Sequence, residues 1–152
     1  MGINYKVSGK VIYLDANIFI YLLEGYTEYV SLLKQLFDLI DENQLHAVTS
    51  ELSLAETLVK PMADGNSVLQ EIYKSVIQTS DALTVVPISR EILLCAAQIR
   101  AKSLRLPDAI HLATAQVSGC HIFLTNDKRL KRMANIEIIL ASELKDSTLI
   151  VE

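Results

Sequence analysis

Asp15, Glu56, Asp108 and Asp127 are spread across a chain of 152 residues, and each stands at or near a junction between a short apolar run and a helical pattern. Asp15 directly follows Val11-Ile12-Tyr13-Leu14, and Asp127 comes two residues after the run His121 to Thr125. Glu56 falls about two turns into the helical pattern that follows the second run, and Asp108 opens the pattern leading to the fourth. In a parallel α/β sheet every strand ends and every crossover helix begins along one edge, where open α/β sheets bind ligands. The expected arrangement therefore turns all four carboxyl groups toward one crevice. Carboxylates gathered in a partly desolvated cleft repel, and they take up protons unless a cation compensates them. Oxygen-only ligands select a hard ion, Mg²⁺ or Mn²⁺ rather than zinc, and the chemistry suited to such a site is phosphodiester cleavage.

Each carboxylate also has a plain structural explanation. Asp15 can simply end a strand, although a charge between two apolar runs is unusual. Ser53-Leu54-Ala55-Glu56 matches a capping box. Asp108 follows Pro107 in a first helical turn, where proline fits and a negative charge favours the helix dipole, and Asp127 can be an N-cap. The argument for a site is joint, because four independent caps have no reason to share one end of one sheet.

The elements that must position these residues follow from hydrophobic periodicity. Strand-forming runs occur at Val11 to Leu14, Leu45 to Thr49, Thr84 to Ile88, His121 to Thr125 and Ile136 to Leu140. Helical patterns cover Ile18 to Leu23, Glu28 to Ile40, Leu52 to Lys60, Val68 to Thr79, Arg90 to Lys102, Asp108 to Ser118 and Lys128 to Met133, with Pro61 to Ser67 read as a turn. Alternation of this kind predicts a three-layer α/β domain: a mostly parallel five-stranded sheet with helices on both faces. No repeat or linker divides the chain, so a single domain over 1–152 with a core at about 11–140 is expected. The segment after Ala141 is open, and Leu149-Ile150-Val151 can add an edge strand or fray.

Composition bounds the rest. Lys6 and Lys10 ahead of an apolar run imitate a signal peptide, but Asp15 and Asn17 interrupt the run and no cleavage site follows; a cytoplasmic location is expected. No stretch approaches the roughly 18 apolar residues of a membrane span. Cys95 and Cys120 have neither disulfide-framework nor zinc spacing and read as buried, reduced thiols. The net charge of −4 excludes nucleic-acid binding by overall charge, leaving a local patch as the means. Lys128 and Arg129 oppose the dipole at the start of the last helix, Lys131 and Arg132 extend them, and Lys102 and Arg105 precede Asp108. These residues are either a solvated helix face or a phosphate-holding patch, with Lys102, Arg105, Lys128 and Arg129 as its RNA-binding core.

The segments Tyr13-Leu14-Asp15-Ala16-Asn17, Thr49 to Glu56, Leu106 to Ala115 and Leu124-Thr125-Asn126-Asp127, in that order and spacing, resemble a PIN domain of the VapC type, the ribonuclease toxins of prokaryotic toxin-antitoxin systems. The resemblance spans Val11 to about Leu140. It implies an acidic tetrad of Asp15, Glu56, Asp108 and Asp127, with Asn17 and Thr125 as polar supports. It further implies one or two Mg²⁺ or Mn²⁺ ions held chiefly by Asp15 and Asp108, with Glu56 and Asp127 acting directly or through water. The implied reaction is hydrolysis of RNA by in-line attack of water, leaving 5′-phosphate and 3′-hydroxyl ends.

His111 lies three residues beyond Asp108 on roughly the same face. A lone histidine in an apolar helix is more simply a packed or hydrogen-bonded side chain than a base or ligand, and His46 and His121 have less claim still. Ile18, Phe19, Leu22, Leu32, Leu33, Leu36 and Phe37 supply more apolar surface than one thin layer obviously needs. The excess, with the resemblance, suggests a homodimer and a groove for an antitoxin segment. An aspartyl-phosphate enzyme fits poorly, since the haloacid-dehalogenase type wants a second Asp where Asn17 stands, and Pro87 to Arg90 offers no receiver phosphoacceptor. The stronger alternative is a non-catalytic RNA-binding or scaffolding PIN domain.

Overall fold

The computed structural model describes residues 3–6, 9–100, 104–132, 135–144 and 147–150. The chain runs β1 (Ile3–Lys6), β2 (Val11–Leu14), α1 (Ala16–Leu23), α2 (Val30–Asp41), β3 (His46–Ser50), α3 (Glu51–Ala63), α4 (Ser67–Val76) and β4 (Leu83–Val86). It continues through α5 (Arg90–Arg100), α6 (Leu106–Val117), β5 (Ile122–Thr125), a 3₁₀ turn (Lys128–Arg132), β6 (Glu137–Leu140), α7 (Ala141–Leu144) and β7 (Ser147–Ile150). The main sheet has five strands in the order β4-β3-β2-β5-β6, and every pairing in it is parallel. The chain builds outward from β2 through β3 to β4, then crosses back to place β5 on the other side of β2. A crevice opens at that reversal, beyond the carboxyl ends of β2 and β5.

The strands read as apolar runs because both faces are covered. Ile12, Leu14, Ala47, Ile122, Leu124 and Ile139 point into one core with α1, α2 and α4. Tyr13, Val48, Phe123, Ile138 and Leu140 point into the other, where Leu112 and Ala115 of α6 meet them. α5 closes on α6 through Ile92, Ala96, Ala109, Ile110 and Ala113. The expected three-layer architecture is present.

Several local expectations are corrected. α3 begins at Glu51, capped by the Ser50 hydroxyl, which accepts from the Leu52 amide at 3.0 Å. Ser53 is therefore inside the helix, buried and bonded to Thr49 at 2.8 Å, and the capping-box reading of Ser53 to Glu56 falls. The helix runs on through Pro61 to Ala63. Proline's missing N–H breaks one rung, but its carbonyl accepts from the Asn66 amide at 2.8 Å and from Gln70 Nε2 at 3.1 Å, so the helix end is locked to α4. The last expected helix is a 3₁₀ turn over Lys128–Arg132, as suits a short segment whose leading charges oppose the dipole. Its predicted end at Met133, like that of α5 at Lys102, lies outside the described residues. The open segment after Ala141 forms α7 and then β7, which pairs in parallel with β1 as a separate two-stranded sheet.

The apolar surplus on α1 and α2 is used at home. Ile18, Phe19, Leu33 and Leu36 are buried, and Leu22, Leu32 and Phe37 pack against them. Exposed apolar side chains sit elsewhere, among them Val59, Met62, Val68 and Ile72 on the α3–α4 hairpin and Leu93 and Leu94 on α5. Leu14, on the central strand, is fully buried. Leu14→Ala should cost about 2–5 kcal/mol, whereas Val59→Ala should stay within about 0.5 kcal/mol; urea denaturation of the two variants checks the contrast.

Candidate active site

Asp15 sits where β2 hands over to α1. Its amide donates to the Leu124 carbonyl at 3.0 Å, extending the β2–β5 ladder by one step, and its carboxylate caps α1 by accepting from the Ala16 amide at 2.8 Å. The residue is only 8% exposed. The Thr125 hydroxyl, at the end of β5, donates to Asp15 Oδ2 at 2.6 Å and accepts from the Asp127 amide at 3.1 Å. Thr125 thus fixes one carboxylate and the backbone of another.

Glu56 reaches the same edge from α3. Its Oε1 is hydrogen-bonded to Nε2 of His111, which comes from α6, a helix on the opposite face of the sheet. His111 is 2% exposed. Its Nε2 also lies 3.7 Å from Asp15 Oδ1, and its Nδ1 pairs with the Tyr13 hydroxyl at 2.6 Å. Tyr13 is buried and stacked on Phe123 with centroids 4.9 Å apart.

Asp108 and Asp127 form the outer part. Asp108 stands in the first turn of α6, and its Oδ2 accepts from Arg105 Nε at 3.2 Å. Asp127 caps the 3₁₀ turn by accepting from the Arg129 amide at 3.0 Å. The Arg129 guanidinium grips Asp127 with Nε at 2.9 Å and Nη2 at 2.5 Å, and the same Nη2 lies 3.5 Å from Asp108 Oδ2. Asp15, Asn17, Glu56, Arg105, Asp108 and Asp127 line one cleft of about 230 Å³. The expected gathering of the four carboxylates is therefore found. Asp108 and Asp127 are paired with Arg105 and Arg129, Glu56 with His111, and Asp15 with the Thr125 hydroxyl and the Ala16 amide; among the described residues no trio of His, Cys, Asp or Glu is drawn together closely enough to enclose an ion.

The electrostatics divide along the same line. Burial raises the Asp15 carboxyl above its ordinary range, and Glu56 adds to the rise, while His111, Thr125 and the Ala16 amide pull against it. Burial pushes His111 down, but its hydrogen bond to Glu56 and the charges of Asp15, Glu56 and Asp108 overcome it, and the imidazole ends above its usual value. Asp127 is lowered, first by its hydrogen bond from the Arg129 side chain. Tyr13 is raised far up by burial and by Asp15, so its phenol keeps its proton.

Of the remaining expected site residues, Asn17 lies on the cleft wall, and its Oδ1 is a buried oxygen without a hydrogen-bond partner among the described residues. Arg105 and Arg129 reach the carboxylates. Lys128 is exposed on the turn, Lys131 is turned away to the Ile138 carbonyl and Glu143, and Lys102 lies outside the described residues. Cys95 and Cys120 are free and half-buried, and burial pushes the Cys120 thiol up to about 12. His46 bonds to Thr84 and His121 to the Val11 amide, both away from the cleft. The residues underrated from sequence are His111 and Tyr13. The signal was present in the i, i+3 spacing of Asp108 and His111, but the strand position of Tyr13 gives no hint that its hydroxyl meets a histidine from another layer.

A model of the PIN domain family matches residues 12–136. This chain belongs to the PIN domain family. Solved structures agree on the fold of this PIN domain. VapBC2 from Rickettsia felis, bound to a DNA fragment from its promoter, superposes with a TM-score of 0.67 at 15% identity, covering 86% of this chain and 98% of that one. A toxin-antitoxin complex from Klebsiella pneumoniae gives 0.65 at 21% identity, covering 86% and 97%. VapC20 from Mycobacterium tuberculosis, described as a toxin that cleaves the sarcin-ricin loop, gives 0.60 at 15% identity, covering 74% and 86%. No match to a curated protein reaches significance. Among the described residues no helix is long and apolar enough to cross a membrane.

Two predictions follow from the site's charges. His111 is raised above 6.5, so the stability it contributes is complete below that value and is lost as pH rises through the raised one; Asp15, also raised, acts in the same direction from 3.8 upward. The lowered Asp127 works oppositely, contributing above 3.8 and losing its effect on acidification. The thermal midpoint of chelator-treated protein should therefore fall as pH rises past 6.5, and His111→Gln should flatten that fall; an unchanged slope in the variant would count against the assignment. Thr125→Val should cost about 1.5–3 kcal/mol at neutral pH, measured by denaturant unfolding, because it strips a charge-assisted bond from a buried carboxylate.

Proposed function

We propose that this PIN domain is a metal-dependent endoribonuclease acting as the toxin of a toxin-antitoxin pair in the cytoplasm. The observation that carries the reading is the cleft itself: Asp15, Glu56, Asp108 and Asp127 open onto one space at the carboxyl edge of the sheet, beside the unpartnered Asn17 oxygen. The donor set is all oxygen and rich in negative charge, which fits Mg²⁺ or Mn²⁺. Asp15 and Asp108 would be the chief holders, with Glu56 and Asp127 completing the set directly or through water. When bound, such an ion supplies Lewis acidity for in-line attack of water on a phosphodiester, giving 5′-phosphate and 3′-hydroxyl ends.

The protein's own groups have distinct parts in this reading. Thr125 and the Ala16 amide hold Asp15 so that one carboxylate is fixed before RNA arrives. Arg129 and Arg105 are exposed at the rim and exchange a carboxylate partner for a phosphate oxygen. The neighbouring toxin-antitoxin complexes support a cognate antitoxin as partner, and a second copy of the chain is proposed beside it. A non-catalytic RNA-binding role draws on one observation, that the Arg129 guanidinium already lies against both Asp108 and Asp127.

Single-stranded RNA incubated with purified protein and Mg²⁺ or Mn²⁺ separates the two. Cleavage should stop on chelation and return with Mn²⁺. Asp15→Asn and Asp108→Asn should stay folded and lose about 100-fold or more, since direct ligands should cost at least as much as outer partners. RNA binding without any cutting by wild type establishes the scaffold reading instead.

A further inference from the structure

His111 is almost fully buried in an otherwise apolar stretch of α6, yet both ring nitrogens are engaged, Nδ1 by Tyr13 and Nε2 by Glu56. We propose that His111 is a positioning residue that aims the Glu56 carboxylate into the cleft, and that the Tyr13 hydroxyl dictates which imidazole nitrogen does the aiming. The proposal rests on the cleft being a cation site for RNA cleavage.

Glu56 needs such a fixture. It projects from α3 with its side chain 37% exposed, so a free glutamate there would sample rotamers pointing into solvent, and ordering it costs side-chain entropy. Asp15 has the helix cap and Thr125 to hold it, whereas the hydrogen bond recorded for Glu56 is the one from His111. That bond comes from a ring that cannot easily turn. Tyr13 meets its far nitrogen at 2.6 Å and packs edge-on against it with centroids 5.8 Å apart, and Tyr13 is itself clamped by its stack on Phe123.

Tyr13 makes the arrangement independent of the imidazole's charge. When the ring is neutral, the phenol donates to Nδ1, which leaves the ring proton on Nε2 to be donated to Glu56. When the ring is protonated, Nδ1–H donates to the phenol oxygen and Nε2–H still donates to Glu56. A phenylalanine at position 13 removes this choice, and the neutral ring can then carry its proton on Nδ1 and present a bare acceptor to a carboxylate. Such a bond to an outer group resembles the partners that orient metal-binding side chains generally, whose loss costs about 10–100-fold in metal affinity or activity.

The test uses the full chain and Mn²⁺ as the probe, with binding followed by electron paramagnetic resonance and the imidazole nitrogens by ¹⁵N NMR. His111→Leu should weaken Mn²⁺ binding by about 10–100-fold and lower kcat with KM for RNA little changed. His111→Gln, whose amide N–H can reach Glu56, should recover much of the loss, a rescue that a purely space-filling role does not predict. Tyr13→Phe, which keeps the stack on Phe123, should shift the neutral ring toward the Nδ1–H form and weaken Mn²⁺ by less than His111→Leu does. A folded His111→Leu variant with wild-type affinity overturns the proposal; should that variant not fold, wild-type affinity in Tyr13→Phe together with an unchanged ¹⁵N pattern overturns it. If wild type itself binds no Mn²⁺, the metal-dependent reading falls separately. Positioning is then decided in the metal-free protein, where Glu56→Gln must move the Nε2 resonance if the bond exists and leaves it unmoved if it does not.

Discussion

Placing a carboxylate inside the carboxyl edge of a parallel sheet is the constraint around which this molecule is arranged. Asp15 is withdrawn from water between two cores, and an ionised group there loses several kcal/mol of hydration unless partners replace it. The compensators come from three separate elements: the Ala16 amide from α1, the Thr125 hydroxyl from β5, and the His111 imidazole from α6. Each must arrive within about 3–4 Å for the burial to be tolerable. The β2–β5 register, with Leu14 opposite Leu124, brings Thr125 alongside Asp15, so a one-step slip would both invert the core faces and strand the charge.

The cleft is graded from inside to outside. Asp15, Glu56 and His111 form an inner set in a medium of low polarizability, where hydrogen bonds and charges act strongly. Asp108, Asp127, Arg105 and Arg129 form a rim set, with the Arg129 side chain 58% exposed, where pairing is screened and worth little net. Weak pairing is useful at a rim. A guanidinium placed there can leave a carboxylate at small cost. The same grading explains why Asp15 and Asp127 are displaced in opposite directions: burial governs one and a guanidinium the other.

The layer architecture was legible because the strands are apolar on both sides and the helices intervene regularly. The convergence of Asp15, Glu56, Asp108 and Asp127 followed from topology alone, since parallel strands deliver their ends to one edge. What escaped was set by contacts across the fold. Pro61 looks like a stop, yet α3 passes through it to Ala63, and Asn66 and Gln70 then satisfy its carbonyl. Ser53 looks like a cap, yet Ser50, three residues earlier at the very end of β3, takes the role. The Lys128–Arg132 segment has helical periodicity but too little length and the wrong leading charge for an α-helix. His111 looked like core because its neighbours Ile110, Leu112 and Ala113 are core; only the meeting of α6 with β2 and α3 shows that its two nitrogens have polar partners.

The likeness to toxins at 15–21% identity shows how little of a sequence is needed to keep this topology, and for that reason the fold alone cannot carry an activity. The weight must rest on particular atoms. Asn17 Oδ1 is the most telling of these, because a buried acceptor left bare costs about 1–3 kcal/mol and its cleft neighbours Asp15, Glu56, Asp108 and Asp127 are, when ionised, acceptors as well. They cannot satisfy it. Arg105 and Arg129, the donors at the rim, are directed at Asp108 and Asp127. A donor brought into the cleft, water included, is what Asn17 calls for, and this single oxygen says more about the site than the fold does.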